Sequence, residues 1–340
     1  MKVGQVLAMR TDLYSMEFCD EMSNLQDRAF AFDSAVSRQI IEENLGGQTI
    51  DQVFDRFNPS PFAAASLSQV HKGRLRKNKQ WVAIKVQRPF AKEYFEYDFR
   101  WLSRIARCCE KQGILPNYQW GQMIAEIDQL MREELDYRHE GSEMKRMRGI
   151  LKEHNVYVPR VYFKYNTRVL LVMEFLDGIF MSDYIKVQRK DPARTRKWCK
   201  KNKIRPKKLA TVLLKTLMRQ VYEDYVFHGD LHPGNIVILR GNKVAFIDFG
   251  NTGIFDIDFS TKYDQYSRAI GECALNKAAD LFLLLAGRLP VMDIDEVKQK
   301  LVRSLQRQQA LCRIKNLPFH EKSLSATTGE MNRLTVEYNL

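Results

Sequence analysis

At 340 residues and 45% hydrophobic content, the chain is long enough to fold as two lobes with cores of their own. Its six cysteines, Cys19, Cys108, Cys109, Cys199, Cys273 and Cys312, show neither a CxxC pair nor zinc-like spacing, which speaks against a disulfide scaffold or a cysteine zinc site and fits a reducing compartment. The net charge is +13, and +11 of it falls between Lys186 and Lys208, where twelve Lys or Arg stand against one acid, Asp191.

That basic run is either a solvated face or a contact for anionic lipid or nucleic acid. Nucleic acid would call for interleaved aromatics, and only Trp198 is there, so no nucleic-acid partner is expected. The richest apolar run, LFLLLAG from Leu281, is too short to cross a bilayer, and no signal peptide is expected. Targeting or anchoring segments could lie beyond the first and last residues.

In chain order, Val6, Leu7, Leu13, Met16, Met22 and Leu25 recur at spacings of three and four, which predicts a helix over about 3–26 whose first turn carries Lys2, Gly4 and Gln5. Helices are expected next at about 34–45, closed by Gly46 and Gly47, and at about 49–57. After Pro59 and Pro61 the pattern changes. FAAASLSQVHKGRL reads as a small-residue loop entering a strand, RKNKQ as a turn, and WVAIKVQ as a second strand. Small side chains at Ala63, Ala64, Ala65 and Ser66 would let backbone amides approach a phosphate, although alanines also simply tighten a packed turn. Lys85 stands inside VAIKV, where a lysine must either snorkel out or find a carboxylate.

Helices are predicted over about 93–111 and, as one long element carrying EELDYRHE, about 120–152. On that helix Asp136 and Glu140, four apart, would share a face that excludes Glu134. Acids on a long helix usually face solvent; the functional alternative pairs Glu140 with Lys85 and gives Glu134 and Asp136 a basic or metal partner. Strands are predicted at 156–163 and 168–175, completing a sheet of about four strands. The tail MEFLDG, containing Glu174, Phe175 and Leu176, has the look of a hinge whose backbone would meet an adenine. Pro206 opens a helix to about Tyr225, and further helices are expected near 260–275, 278–287 and 294–313, with Asp256 as a cap.

The strongest signal is FHGDLHPGNIVILRGNKVAFIDFG, from Phe227 to Gly250. Asp230 and Asn235 stand five apart, and Asp248 follows an intervening hairpin and precedes Phe249 and Gly250. This is the arrangement by which a phosphoryl-transfer site presents a base to a nucleophile and an amide plus a second carboxylate to magnesium. The bland alternative is a turn and hairpin with buried acids. His228 and His232 flank Asp230, but no third nitrogen or sulfur ligand stands nearby, so bracing of the loop is favoured over metal binding.

HGDLHPGN alone also fits aminoglycoside and choline phosphotransferases. Taken with KVGQ at Lys2 to Gln5, LQD at Leu25 to Asp27, AAASLSQVH at Ala63 to His71, VAIKVQRP at Val82 to Pro89, EELDYRHE at Glu133 to Glu140 and DFG at Asp248 to Gly250, it resembles the UbiB family of atypical kinases, also called AarF or ADCK-like. The resemblance runs from residue 2 to about residue 290.

It implies an α+β, protein-kinase-like two-lobed fold. A helical extension would occupy 1–58, an N-lobe with a small β-sheet 59–176, and a mainly α C-lobe 177–340, with the basic insert at 186–208. It also implies ATP and Mg2+ as cofactors. Lys85 would contact the phosphates and be held by Glu140, the loop Ala63 to Ser66 would cover the nucleotide, Asn235 and Asp248 would hold magnesium, and Asp230 would stand as the base. Lys2 and Gln5 would fold over the site and meet Glu134 and Asp136, occluding the acceptor groove and favouring ATP hydrolysis, or transfer to a small acceptor, over protein phosphorylation.

The expected context is isoprenoid quinone biosynthesis or lipid homeostasis. The protein would lie peripheral to an anionic membrane, bacterial or organellar, with a lipid or quinone-precursor ligand and quinone-biosynthesis proteins as partners. A nucleotide-gated lipid-binding module and a small-molecule phosphotransferase are the alternatives. Two departures from the family pattern, Ser68 and Asn251, remove no ligand.

Overall fold

The computed structural model describes residues 31–114, 120–286, 289, 292–314, 316, 331, 334–335 and 337–338. Lys2, Gly4 and Gln5, and the helix expected around them, lie outside the described residues. The chain divides into two compact units, one made of Ala29–Arg100 and Ala125–Ile254, the other taking in Trp101–Ile124 and Phe255–Leu340.

The first unit opens with α1 (Ser34–Glu43), capped by Asp33, and the single turn α2 (Ile50–Val53), closed by a capping box between Thr49 and Gln52. The longer helix expected to Phe57 stops at Val53, and Phe54–Phe57 form strand β1 instead. β1 pairs with the strand Ser68–Leu75 through a register shift between Phe54 and Arg56, and Arg74 of that strand grips Asp55 with two hydrogen bonds of 2.9 and 2.7 Å, so pairing outweighs helical continuation. Next come β2 (Ala63–Ala64), β3 (Ser68–Leu75) and β4 (Trp81–Gln87). They lead to α3 (Ala91–Lys111), α4 (Trp120–Glu134) and α5 (Tyr137–Glu153).

The single helix expected over about 120–152 is therefore two. Asp136 is the N-cap of α5, its carboxylate accepting from the Arg138 N–H at 3.0 Å, and a cap leaves the helical path. Strand β5 (Val156–Tyr157) is also shorter than expected. It leaves the N-lobe sheet, pairing in parallel with a strand nearly ninety residues on, while 163–165 form a 3-10 turn. β6 (Leu170–Glu174) completes the antiparallel N-lobe sheet in the order β1-β3-β4-β6, with β2 on β3.

After β7 (Ile179–Phe180) the basic run folds as two helices, α6 (Met181–Lys190) and α7 (Pro192–Lys201), followed by α8 (Pro206–Arg219). A π turn at Gln220–Asp224 then delivers the chain into β8 (Val226–His228), β9 (Ile236–Leu239), β10 (Lys243–Phe246) and β11 (Thr252–Ile254). β5, β10, β9 and β7 form one sheet, and β8 pairs with β11.

Strand periodicity sorts β4 between two cores. Val82, Ile84 and Val86 pack with Ile41, Ile50, Phe54 and Val172, whereas Ala83 faces the cluster of Met144, Met147, Val244, Phe246 and Phe249. Lys85 shares the parity of Ala83. The second unit carries α9 (Ile257–Gly271, capped by Asp256 as expected), α10 (Leu275–Leu285) and α11 (Ile294–Arg313), packed around Ala278, Leu281, Val297 and Leu301.

Gly178, ahead of β7, is required by close approach. A Cβ there would lie 2.5 Å from Val237 Cγ1 and 2.7 Å from the Ile238 carbonyl oxygen. Gly178→Ala is expected to cost about 1–3 kcal/mol by overpacking, seen as a lower midpoint in chemical denaturation with an unchanged slope.

Candidate active site

Lys85 is central in β4, its backbone paired with Val70 on one side and Leu171 on the other, and its side chain is only 14% exposed. The ammonium is not left to snorkel. Its Nζ donates to both Glu140 oxygens, at 2.8 and 2.9 Å, and to Asp248 Oδ2 at 3.2 Å, and it sits 5.1 Å from the Tyr137 ring centroid. Burial lowers the lysine's proton affinity, but Asp248 and Glu140 more than reverse this, so it stays cationic. Burial pushes Glu140 up to about 7 against the pull of Lys85, with Asp248 and Glu134 adding repulsion. Burial also opposes ionisation of Asp248, yet Lys85 and the Gly250 N–H, 3.1 Å from Oδ1, hold its carboxyl well below the usual range.

The catalytic-loop candidates are fixed by one imidazole. His228 is buried, and its Nε2 lies 2.5 Å from the Asp248 carbonyl oxygen, so Nε2 carries the proton. Nδ1 then accepts from the Asp230 N–H at 3.1 Å. Burial lowers the pKa of the ring, in keeping with this neutral form. The Asn235 side chain donates to the Asp230 carbonyl at 3.0 Å, which leaves its amide oxygen as a possible metal ligand. His232 is exposed and accepts from the Gly234 N–H at 3.1 Å, capping the turn Pro233–Asn235. Asp248, Asn235 and Lys85 together offer a carboxylate, an amide oxygen and an ammonium, the donor set suited to magnesium and polyphosphate.

Glu134 and Asp136 stand apart. Glu134 Cγ is 4.0 Å from where a Cβ on Gly250 would sit, which places this acid beside the Asp248 loop. Asp136 is turned to Arg138 at 2.6 Å and Arg168 at 3.8 Å, pairings that hold it below the usual carboxylate range.

Ala63 and Ala64 lie in a strand, and the Ala65 N–H donates to the Ser68 carbonyl at 2.8 Å, so the loop is a closed turn. Among the described residues this leaves the Ser66 and Leu67 amides as its donors toward a phosphate. In the hinge, the Glu174 carboxylate is spent on the Tyr157 hydroxyl at 2.6 Å and the Phe175 N–H on the Trp81 carbonyl at 3.0 Å. The Phe175 ring lies edge-on to Phe62 and carries Lys72 Nζ 3.9 Å from its centroid. The Glu174 N–H is likewise engaged, on the Arg160 carbonyl at 2.8 Å, and the Leu176 carbonyl accepts from the Gly178 N–H at 3.1 Å.

Sequence reasoning missed several positioning groups. Arg88, part of the VAIKVQRP run but given no role of its own, donates from Nε to the Ser66 carbonyl at 3.1 Å and holds the loop. Buried Gln69 accepts from the Phe32 N–H at 3.0 Å and reaches His71 at 3.0 Å. Glu143, one turn beyond Glu140, accepts from Thr252 and Arg146, tying α5 to β11. The SQVH run and the VAIKVQRP run that contains Arg88 offered signals in advance, and Glu143 had none.

An antiparallel N-lobe sheet holding a lysine–glutamate pair, followed by the Asp230 loop and a DFG aspartate that meets the same lysine, defines the class as protein-kinase-like. A family profile described as the ABC1 atypical kinase-like domain matches residues 24–279, and the chain belongs to that family. It is 34% identical over 259 residues to the Arabidopsis thaliana protein named Activity of bc1 complex kinase 8, chloroplastic, covering 74% of this chain and 32% of that one. It is 29% identical over 343 residues to an uncharacterized Synechocystis protein, covering 99% of this chain and 55% of that one. The chain therefore spans about a third to a half of these relatives. Among solved structures, the Rv3197–erythromycin complex from Mycobacterium tuberculosis matches with a TM-score of 0.58 at 21% identity, covering 99% of this chain and 91% of that one, a likeness of fold.

Removing one partner of the buried pair exposes its worth. Glu140→Ala leaves the Lys85 ammonium with Asp248 alone, and the expected loss is about 3–5 kcal/mol in urea unfolding. An unchanged midpoint would show that the pair carries no structural load.

Proposed function

We propose that this protein binds magnesium-ATP at the Lys85–Glu140–Asp248 centre and releases or transfers the γ-phosphoryl group. The observation that carries the reading is the single ammonium held between the Glu140 and Asp248 carboxylates, beside a base-bearing loop locked to the same aspartate. Asn235 and Asp248 would hold magnesium, which when bound neutralises charge on the phosphates. Lys85 would orient the phosphates, with Glu140 fixing its direction. Asp230, anchored through its main chain on both sides, would accept a proton from the attacking hydroxyl or water.

The resemblance of KVGQ to the family's segment over the active site supports an acceptor groove covered by residues around Lys2, Gly4 and Gln5. That favours hydrolysis or a small acceptor over a peptide. A role in isoprenoid quinone biosynthesis or membrane lipid homeostasis, with a lipid or quinone-precursor ligand, rests on the same resemblance. No helix of the described residues is long and apolar enough to cross a membrane. Peripheral attachment through the exposed lysines of α7 and its C-terminal turn is the reading we adopt, and the chloroplastic relatives make an organelle one of its possible settings. A nucleotide-gated lipid-binding module is the second reading, favoured if nucleotide binds without turnover.

Asp248→Asn is expected to abolish magnesium-dependent ATP binding, measured with a fluorescent nucleotide with and without EDTA. Retained magnesium-dependent binding would overturn the site assignment. Phosphate release by the wild type should rise with anionic liposomes. Reversing charge at Lys200, Lys201 and Lys203 should weaken liposome co-sedimentation at low salt, and unchanged sedimentation would return the run to a solvated face.

A further inference from the structure

The helix that leads into the catalytic loop does not end regularly. Gln220–Asp224 wind as a π turn, and Tyr225 closes it in the left-handed region at φ 54°. One-turn π insertions carry an extra residue at a cost in hydrogen-bond geometry, and they recur at functional sites. Gln220 stands where α8 passes into this turn, one regular α turn beyond Thr216 on the same buried face, and is fully buried.

Gln220 Oε1 accepts from the His228 N–H at 2.9 Å, while its Nε2 is buried with no partner. An orphaned amide nitrogen is an unfavourable companion for one backbone contact, so packing alone does not account for a glutamine here. The contact falls on the residue whose ring holds the Asp230 N–H and the Asp248 carbonyl. The turn also adjoins α5. Arg219, next to the turn, donates to the Glu153 carbonyl at the end of α5 at 3.2 Å, while Asp224 Oδ2 lies 3.0 Å from Nε2 of buried His154, the C-cap of α5, with neither atom in a hydrogen bond. The helix bearing Glu140 and the loop bearing Asp230 are thus joined through five residues.

We propose that Gln220 is a positioning residue for phosphoryl transfer, setting the His228 backbone and, through the imidazole, the base at Asp230 and the metal ligand Asp248. This rests on the magnesium-ATP reading above. Gln220 itself touches neither nucleotide nor acceptor.

The test compares full-length Gln220→Met, which keeps length and loses the oxygen, with Gln220→Glu, which keeps an acceptor. Gln220→Met should lower kcat for phosphate release on the order of 10- to 100-fold. KM for magnesium-ATP should stay within about threefold, because Lys85 and the nucleotide loop are untouched. Hydrogen–deuterium exchange should rise selectively in peptides spanning 226–230. Gln220→Glu should recover most of the kcat and the protection. Wild-type kcat and unchanged exchange in Gln220→Met would overturn the proposal. So would a kcat loss that tracks the folded fraction, with exchange raised throughout the chain.

Should Gln220→Met not fold, Gln220→Glu decides, with near-wild-type protection of 226–230 expected and its loss overturning the assignment. If the wild type releases no phosphate, the functional reading fails separately. The exchange arm and the nitrogen shifts of the His228 ring, whose Nε2–H form Gln220→Met should perturb, still decide the positioning claim.

Discussion

One ammonium group organises the first unit. Lys85 lies on the middle strand of a sheet, on the face its parity dictates, and a charge there is stable only with carboxylates brought to it. Glu140 comes from a helix more than fifty residues on and Asp248 from a loop more than a hundred and sixty residues on. Packing of α5 under the sheet, the ordering of the Asp248 turn by Gly250 and the bracing by His228 all satisfy that one requirement. The pair of acids also shares a single cation, so the arrangement is electrostatically unsaturated. Burial and the neighbouring acids raise Glu140, while Lys85 and the Gly250 N–H keep Asp248 ionised.

The site was more legible than the scaffold. Residues such as Asp230, Asn235 and Asp248 are separated by short turns, so spacing alone brings them together, and Lys85 declared itself as a charge among apolar neighbours. Where long-range pairing decides, local pattern failed. Phe54–Phe57 continues a helical period by its composition but is captured by β3, and Val156–Tyr157 is drawn out of the expected N-lobe hairpin by β10. The break between α4 and α5 turned on Asp136 acting as a cap, a role open to any aspartate on a polar stretch. Gln220 was passed over because it continues the buried face of α8 one turn beyond Thr216, where a polar side chain gives no apolar signal.

Cover and floor of the site differ in how they are held. The alanine turn closes on itself through Ala65 and Ser68, and Arg88 holds its carbonyl oxygen from the end of the adjacent strand. Such a loop has little freedom to fold down over a phosphate, in contrast to a glycine-rich cover. Below it, α5 is tied to β11 through Glu143, Thr252 and Arg146, and to the approach helix through His154 and Asp224. Under the magnesium-ATP reading proposed above, motion to admit and release nucleotide falls to elements linked by fewer polar contacts, with rigid positioning of the groups around Lys85 as the gain.

The parallel pairing of Val156–Tyr157 with Val244–Ala245 has a consequence for how the chain matures. The strand immediately before the DFG segment finds one neighbour only by closing a loop of about ninety residues, an entropic step that local helix formation cannot shorten. During synthesis the N-lobe sheet can assemble while Val156 still waits for its partner. The Asp248 turn that follows β10 therefore depends on a contact of long sequence separation. A nascent chain arrested before Lys243 would lack both β10 and the aspartate that shares the Lys85 ammonium.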